Sequence, residues 1–159
     1  MVVSLIITRG EKTTDAFLAQ LQKMSGEVGI CVLLMRKYEE MVKILDKKNI
    51  KSDGFLFVDG CSSPDETRMI HTSLDNLTLM SITLNEALQA LPKERRFVAF
   101  DAFGTLALYN TPRVVAKFAS FLNQHVRELG VDCILVVARE GLDPELLATL
   151  KQCADVIEG

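Results

Sequence analysis

Short apolar runs alternate with longer amphipathic segments from one end of the chain to the other. Each run has the length of a buried strand, and the segments between the runs place apolar residues at the three-to-four-residue spacing of a helix. Strands that are apolar throughout are typical of parallel sheets, because helices cover both of their faces. The pattern therefore predicts a three-layer α/β fold, a mostly parallel sheet with helices on both faces.

Strands and helices are predicted at alternating positions. The strands are predicted at residues 2–8, 30–35, 54–59, 97–101 and 133–138, with a short edge strand at 155–158. The helices are predicted at 13–24, 38–47, 83–91, 112–129 and 143–153. In the third helix, Thr83 and Glu86 have the spacing of a capping box. The chain contains no internal repeat, linker or low-complexity segment, so we expect one domain over residues 1–159.

Composition narrows the class of protein. Of the 159 residues, 48% are hydrophobic and 25% are charged, which excludes a disordered chain. With 18 basic and 21 acidic residues the formal net charge is −3, and neither sign is gathered into a block, so we do not expect nucleic-acid binding. The longest apolar runs are about a third of the roughly 20 residues that cross a bilayer, so we expect no membrane segment.

The start of the chain and the cysteines both indicate a reducing compartment. No basic residue precedes the apolar stretch at residues 2–7, which does not match a secretory signal, so we expect a cytoplasmic protein. The four cysteines contain no C-x-x-C pair and are predicted to be reduced residues that hold neither zinc nor disulfides: Cys31, Cys61, Cys133 and Cys153.

The turn after the first strand is the first candidate for chemistry. Gly10, Glu11, Lys12 and Thr13 join a strand directly to a helix, which is the context of a phosphate-binding loop. The pattern G-x-x-x-x-G-K-[ST] needs a second glycine immediately before its lysine, whereas Glu11 stands there. A carboxylate at that position would repel a polyphosphate, so an ordinary helix-capping turn is the competing interpretation.

Two acidic residues close apolar strands. Asp101 ends the strand at 97–101, where nucleotide hydrolases place the acid that orients Mg²⁺. Asp59 ends the strand at 54–59 in nearly the same way, and the turn-rich stretch 60–65 follows it. Acids at strand ends are also common hydrogen-bond anchors, so position alone does not separate the two roles.

Residues 96–137 resemble the second half of RecA-superfamily ATPases of the KaiC-like type. The resemblance consists of the apolar strand that ends in Asp101, the loop containing Thr105, the helix 112–129 and the strand that follows Gly130. The segment 77–88 is similar to the part of that family that leads into this strand. With the order of the preceding elements, the resemblance covers nearly the whole chain and implies a RecA/P-loop NTPase-like fold.

The resemblance also implies a set of site residues. Lys12 and Thr13 match the lysine and hydroxyl of the family's phosphate loop, and Asp101 matches its Mg²⁺-linked acid. If nucleotide binding is retained, ATP would lie against Gly10, Lys12, Thr13 and Asp101, and Mg²⁺ would be held by Thr13 and Asp101.

Two departures from the family predict that catalysis is lost. The family's catalytic carboxylates follow the second strand, where this chain has Met35 and Arg36, and the phosphate loop is shortened around Glu11. No catalytic residue is therefore predicted. We expect a non-catalytic domain, a pseudo-ATPase that acts in regulation or as a scaffold through a protein partner or as a homo-oligomer.

Two other functions stay open from the sequence. One is an ATPase with an atypical loop that uses Lys12, Thr13 and Asp101. The other is a receiver-like domain with Asp59 as phosphoacceptor, which is disfavoured because no further acids stand beside the first strand to hold Mg²⁺.

Overall fold

The computed structural model describes residues 1–63, 65 and 69–159. Part of the turn-rich stretch predicted at 60–65 lies outside these residues. Within them, seven strands form one sheet in which every neighbouring pair is parallel. Helices cover both faces of this sheet. The predicted three-layer α/β class is confirmed.

The strands and helices alternate along the chain. The strands are β1 (Val3–Thr8), β2 (Val28–Leu33), β3 (Phe55–Asp59), β4 (Ile70–His71), β5 (Arg96–Asp101), β6 (Asp132–Ala138) and β7 (Val156–Glu158), in the spatial order β4-β3-β2-β5-β6-β1-β7. The helices are α1 (Thr13–Lys23), α2 (Tyr38–Lys47), α3 (Leu77–Ala90), α4 (Pro112–Leu129) and α5 (Pro144–Cys153). Two 3₁₀ segments, Gly10–Lys12 and Phe103–Leu108, follow β1 and β5. In the described part of the chain, none of the helices is both long and apolar enough to cross a membrane.

Side-chain alternation along the strands builds two separate cores. On β5, Val98 and Phe100 contribute to the core formed with α3, α4 and α5. Phe97 and Ala99 point to the opposite face and contribute to the core formed with α1 and α2. Because successive residues of a strand face opposite sides, a central strand that serves both cores must be apolar throughout. This explains the continuous apolar runs in the sequence.

The third helix begins earlier than the sequence predicted. It starts at Leu77, and the side chain of Asn76 caps it by accepting a hydrogen bond of 3.0 Å from the backbone N–H of Leu79. Thr83 therefore lies inside the helix, and the predicted capping box with Glu86 is wrong. The helix start was missed because residues 77–82 read as an apolar run in the sequence. In the structure Leu77 and Met80 are buried at helical spacing, so the helix begins almost two turns earlier. The two-residue strand β4 was also missed, since it is too short for a periodic signal.

A buried arginine fixes the ends of two helices. Arg96, at the start of β5, is 7% exposed. Its two terminal nitrogens donate hydrogen bonds of 3.0 Å to the carbonyl oxygens of Leu88, in the last turn of α3, and Leu129, the last residue of α4. Carbonyl groups in the last turn of a helix lack the usual partner within the helix, and this cation bonds two of them and interacts favourably with the negative end of both helix dipoles. The carbonyl of Leu88 also accepts a longer bond of 3.3 Å from the N–H of Leu91.

We expect Arg96→Met to lower the free energy of unfolding by about 3 kcal/mol, because it leaves two helix ends without their charged hydrogen-bond donor. Urea denaturation measures this loss. Arg95→Met is the matched control: that side chain is 71% exposed and forms surface ion pairs of 3.6 Å with Glu27 and 3.4 Å with Asp132. The control is expected to lose less than about 1 kcal/mol. Equal losses in the two variants would contradict the role of Arg96.

Candidate functional site at the carboxyl ends of the strands

Four neighbouring strands bring their carboxyl ends to one edge of the sheet. β1 pairs with β6 so that Thr8 lies opposite Ala138, and β2 pairs with β5 so that Leu33 lies opposite Asp101. In open parallel sheets this edge is where ligands bind. A cavity of about 310 Å³ opens here, and its walls come from the turns that follow β1, β2, β5 and β6. This cavity is the candidate functional site.

The turn after β1 is closed tightly onto α1. Gly10–Lys12 forms a single 3₁₀ turn in which the backbone N–H of Lys12 donates to the carbonyl of Arg9 at 2.9 Å. The hydroxyl of Thr13 donates to the carbonyl oxygen of Gly10 at 3.3 Å. Thr13 itself is only 3% exposed. The chain therefore passes from strand to helix without an open loop.

The backbone N–H of Gly10 is hydrogen-bonded to a carboxylate from the turn after β6. The N–H of Gly10 donates a hydrogen bond of 2.8 Å to Oε2 of Glu140, which follows β6. The pKa of Glu140 lies below its ordinary value because its own N–H and that of Gly10 donate to it, with further contributions from the Arg139 and Arg9 guanidiniums. Glu140 is therefore an anion at neutral pH and takes up a donor that a phosphate loop would offer to its ligand.

The predicted phosphate-binding lysine lies away from the cavity. The ammonium group of Lys12 is 3.6 Å from a carboxylate oxygen of Asp15, one turn along α1, and both side chains are more than half exposed. Lys12 is not among the described residues that line the cavity. This i,i+3 pair holds the positive charge on the outer surface of the helix.

The carboxylate of Asp101 is enclosed at the end of β5. Its side chain is fully buried, and neither carboxylate oxygen has a hydrogen-bond partner among the described residues. Burial raises the pKa of Asp101 to about 6, although the nearby Arg36 guanidinium and Thr14 hydroxyl act in the opposite direction. The protein thus keeps an acid at the end of β5 that is costly to ionise.

The position after β2 carries a cation instead of a carboxylate. Arg36 donates from Nε to the hydroxyl of Thr14 at 3.4 Å, and its Nη1 lies 3.5 Å from a carboxylate oxygen of Glu40. Glu39 and Glu40 are exposed in the first turn of α2. The end of β2, where the resemblance expects catalytic acids, is therefore positively charged.

Asp59 has a structural role at the end of β3. It is fully buried, and its carboxylate accepts hydrogen bonds from the backbone N–H groups of Cys61, Ser62 and Tyr38 and from the Ser62 hydroxyl. Although burial raises it, these hydrogen bonds lower the pKa of Asp59 below its ordinary value. Asp59 therefore joins the turn after β3 to the first residue of α2. These contacts match one of the two roles that the sequence left open for this residue, that of a hydrogen-bond anchor.

The residues expected to hold Mg²⁺ and a nucleotide are only partly brought together. Gly10 and Thr13 line the cavity, whereas Lys12 and Asp101 do not. The Asp101 carboxylate is of a type that binds metal ions, but the donor of Gly10 is already taken and Lys12 is turned outward, so the phosphates do not fit this arrangement. In the part of the chain that the structure describes, no group of three acidic, histidine or cysteine side chains could hold a metal ion.

Comparisons with known proteins agree with the fold. No protein-family model matches the sequence, and no curated protein matches it. The structure is similar to the KaiC-like protein PH0186 from the hyperthermophilic archaeon Pyrococcus horikoshii OT3, with a TM-score of 0.74 and 19% identity over 98% of this chain and 70% of that one. The protein PH0321 from the same organism, solved in complex with an unknown peptide, matches with a TM-score of 0.72 and 11% identity, covering 98% and 76%.

A third solved structure supports the same conclusion. PH0250 from Pyrococcus horikoshii OT3 matches with a TM-score of 0.64 and 12% identity over 98% of this chain and 80% of that one. At these identities the likeness concerns the fold. The chain has the three-layer α/β architecture of RecA type that is found in a KaiC-like protein.

The buried acid Asp101 generates a prediction about pH. Because its pKa is raised from 3.8 to about 6, the folded protein binds a proton more tightly than the unfolded chain, and stability falls as pH rises from about 4 to 6. We expect Asp101→Asn to raise the free energy of unfolding at pH 7.5 by up to about 3 kcal/mol and to have little effect at pH 4. Urea denaturation at the two pH values measures both effects.

Asp59→Asn is the matched comparison, and its effect has the opposite sign. The pKa of Asp59 is lowered in the folded state, so its contribution to stability is present above the ordinary aspartate pKa and is lost as pH falls. This variant is expected to be less stable than the wild type at pH 7.5. Destabilisation by Asp101→Asn at the same pH would show that the Asp101 carboxylate is held by favourable contacts, which contradicts the account.

Proposed function

We propose that residues 1–159 form one RecA/KaiC-like domain that does not hydrolyse ATP and that acts in regulation or as a scaffold through protein contacts. The observation that carries this proposal is the charge of the cavity. Among its described lining residues the single charged side chain is Glu140, which is negative. A nucleotide triphosphate needs cations and free backbone donors at this edge of the sheet. The cavity offers it a carboxylate instead.

A second requirement for hydrolysis also fails, and independently. The attacking water needs a general base within hydrogen-bond reach. At the end of β2, the cavity is lined by the uncharged Met35, and the next residue is Arg36. The nearby acid Glu40 is engaged with Arg36 at 3.5 Å on the exposed side of α2. The shortened β1–α1 turn and the missing base together support a degenerate site.

Two observations support a role in protein contacts. The first is exposed apolar surface beside the cavity: Leu108 is 79% exposed and Tyr109 is 54% exposed at the end of the 3₁₀ segment after β5. Adjacent exposed apolar side chains favour contact with another protein surface, either a partner or a second copy of the chain. The second is that PH0321, which shares this fold, was solved with a bound peptide.

One observation favours the alternative of an ATP-binding domain with an atypical loop. The Asp101 carboxylate has no hydrogen-bond partner among the described residues, and such an acid at the end of β5 is suited to a cation. Nucleotide binding would then require Lys12 to leave Asp15 and the Glu140 carboxylate to leave Gly10, so that Lys12, Thr13 and Asp101 could act together. Both contacts oppose this rearrangement.

Thermal melting with Mg-ATP and Mg-ADP separates the two functions. We expect no shift in the melting temperature of the wild type, because none of the described residues that line the cavity is a cation for the phosphates. A nucleotide at 100 times its dissociation constant would add about 2.7 kcal/mol, which is about 5 to 10 °C for a chain of this size. A shift that disappears in Lys12→Ala and persists in the matched variant Lys23→Ala, at the other end of α1, would contradict the proposal.

Phosphate release tests the catalytic part of the proposal. The wild type is expected to release no phosphate from ATP above the rate of the buffer, with or without Mg²⁺, because none of the described residues at the end of β2 is placed to act as a base. Magnesium-dependent turnover that is abolished in Asp101→Ala would establish the protein as an ATPase with an unusual site.

A further inference from the structure

We propose that Glu140 is an internal ligand of the β1–α1 turn: its carboxylate occupies an oxyanion position there and keeps small external oxyanions out. This inference rests on the proposed function, in which the wild-type site holds no nucleotide. The inference gives a chemical reason for the closed turn. A side chain of the protein itself supplies the anion to which the backbone would otherwise donate in a bound ligand.

The surroundings of the Glu140 carboxylate are those of an oxyanion site. The backbone N–H of Gly10 donates to this carboxylate at 2.8 Å. The N–H of Glu140 itself contributes to the lowered pKa of the carboxyl. The guanidiniums of Arg139 and Arg9 are close enough to favour the charged form further. Backbone amides of successive turns together with arginine side chains are the groups that hold carboxylate and phosphate oxygens in proteins.

The sheet places this carboxylate, so the contact does not depend on a flexible loop. Thr8 of β1 lies opposite Ala138 of β6, and the N–H of Arg139 continues the pairing by donating to the carbonyl of Thr8 at 2.7 Å. Gly10 and Glu140 each lie two residues beyond that pair. The two turns therefore leave the sheet side by side, although 130 residues separate them in sequence.

Glycine at position 10 is part of the same arrangement. A Cβ atom added there would lie 3.3 Å from Oε2 of Glu140 and 4.0 Å from the Cβ of Ala138. The first distance is tight, so a larger residue would push the carboxylate away from the backbone donor. Gly10 thus permits the close approach of Glu140.

The negative charge of Glu140 would repel an external oxyanion before that anion could reach the N–H of Gly10. A phosphate would have to displace the carboxylate from the Gly10 amide, and the displaced charge would remain beside it. Removing the carboxylate leaves the Gly10 N–H without its side-chain acceptor, at the rim of a cavity of about 310 Å³. We therefore expect a truncated side chain at position 140 to convert the turn into a site for a phosphate-sized anion.

The test compares Glu140→Ala with the wild type in thermal melts with sodium phosphate and with sodium chloride at equal ionic strength. We expect phosphate at ten times its dissociation constant to raise the melting temperature of Glu140→Ala by about 3 °C relative to chloride. The wild type is expected to show only the small, non-saturable rise that phosphate gives through its exclusion from protein surfaces. Glu140→Gln is expected to respond to phosphate less than Glu140→Ala does, because its amide oxygen still accepts from Gly10 although the repelling charge is gone.

Glu11→Ala is the matched control. Glu11 lies in the same turn and pairs with Arg9 at 3.2 Å on the surface, but it does not line the cavity. A phosphate response of Glu140→Ala no larger than that of the wild type, or an equal response of Glu11→Ala, would overturn the inference. Binding of Mg-ATP by the wild type would instead refute the proposed function, so the two failures are distinguishable.

A measurement on the wild type keeps the inference testable if Glu140→Ala does not fold. The amide proton of Gly10 is expected to shift in nuclear magnetic resonance spectra as Glu140 is protonated, with an apparent pKa below the ordinary glutamate range. The other charged side chains at this turn and the facing one are Arg9, Glu11, Lys12 and Arg139, and Lys12 pairs with Asp15 on the outside of α1. A Gly10 amide that does not shift during an acid titration, or that follows Glu11 in the wild type and not in Glu11→Ala, would contradict the contact.

Discussion

The parallel pairing of β1 with β6 is the constraint on which the rest of the site depends. It is fixed over six residue pairs, from Val3 opposite Cys133 to Thr8 opposite Ala138. A slip by one residue would turn every buried side chain of β1 to the other face of the sheet, so the two cores enforce the register. Because the register is enforced, the turns after β1 and β6 must leave the sheet together. The contact between Gly10 and Glu140 follows from the packing of the cores.

The charges at this edge of the sheet neutralise one another within the chain. The Glu140 carboxylate takes the backbone donor of Gly10, and the Lys12 ammonium pairs with Asp15. Arg36 lies near the buried Asp101 and lowers its pKa, although burial has the larger effect. A magnesium nucleotide would bring both an anion and a cation to this edge. Side chains of the protein already pair with the charged groups there, so the chain itself satisfies this edge of the sheet.

Local patterns in the sequence were sufficient to predict the layers of the fold. Continuous apolar runs predicted the central strands, because a strand that is buried on both faces has apolar residues at successive positions. The start of α3 could not be placed, because its first turn, at Leu77, reads as part of an apolar run. Arg96 gave no signal either, since its two acceptors lie at the ends of helices 8 and 33 residues away.

The site was harder to predict because its contacts join distant parts of the chain. Gly10, Thr13 and Asp101 lie at the edge of the sheet where the sequence placed them, but Glu140 could be connected to Gly10 only through the register of β1 and β6. The outward position of Lys12 had a local signal, the acid Asp15 three residues later. That signal could have been read from the sequence, whereas the enclosure of Asp101 depends on how α1 and the turn after β2 cover the end of β5.

The central claim, that this edge of the sheet is closed to nucleotides, is tested most directly by residue-resolved amide spectra of the wild type during addition of Mg-ATP. The account predicts that the amides of Gly10, Thr13 and Glu140 keep their chemical shifts at millimolar nucleotide. Saturable shifts confined to these amides, absent when Mg²⁺ alone or phosphate alone is added, would contradict it.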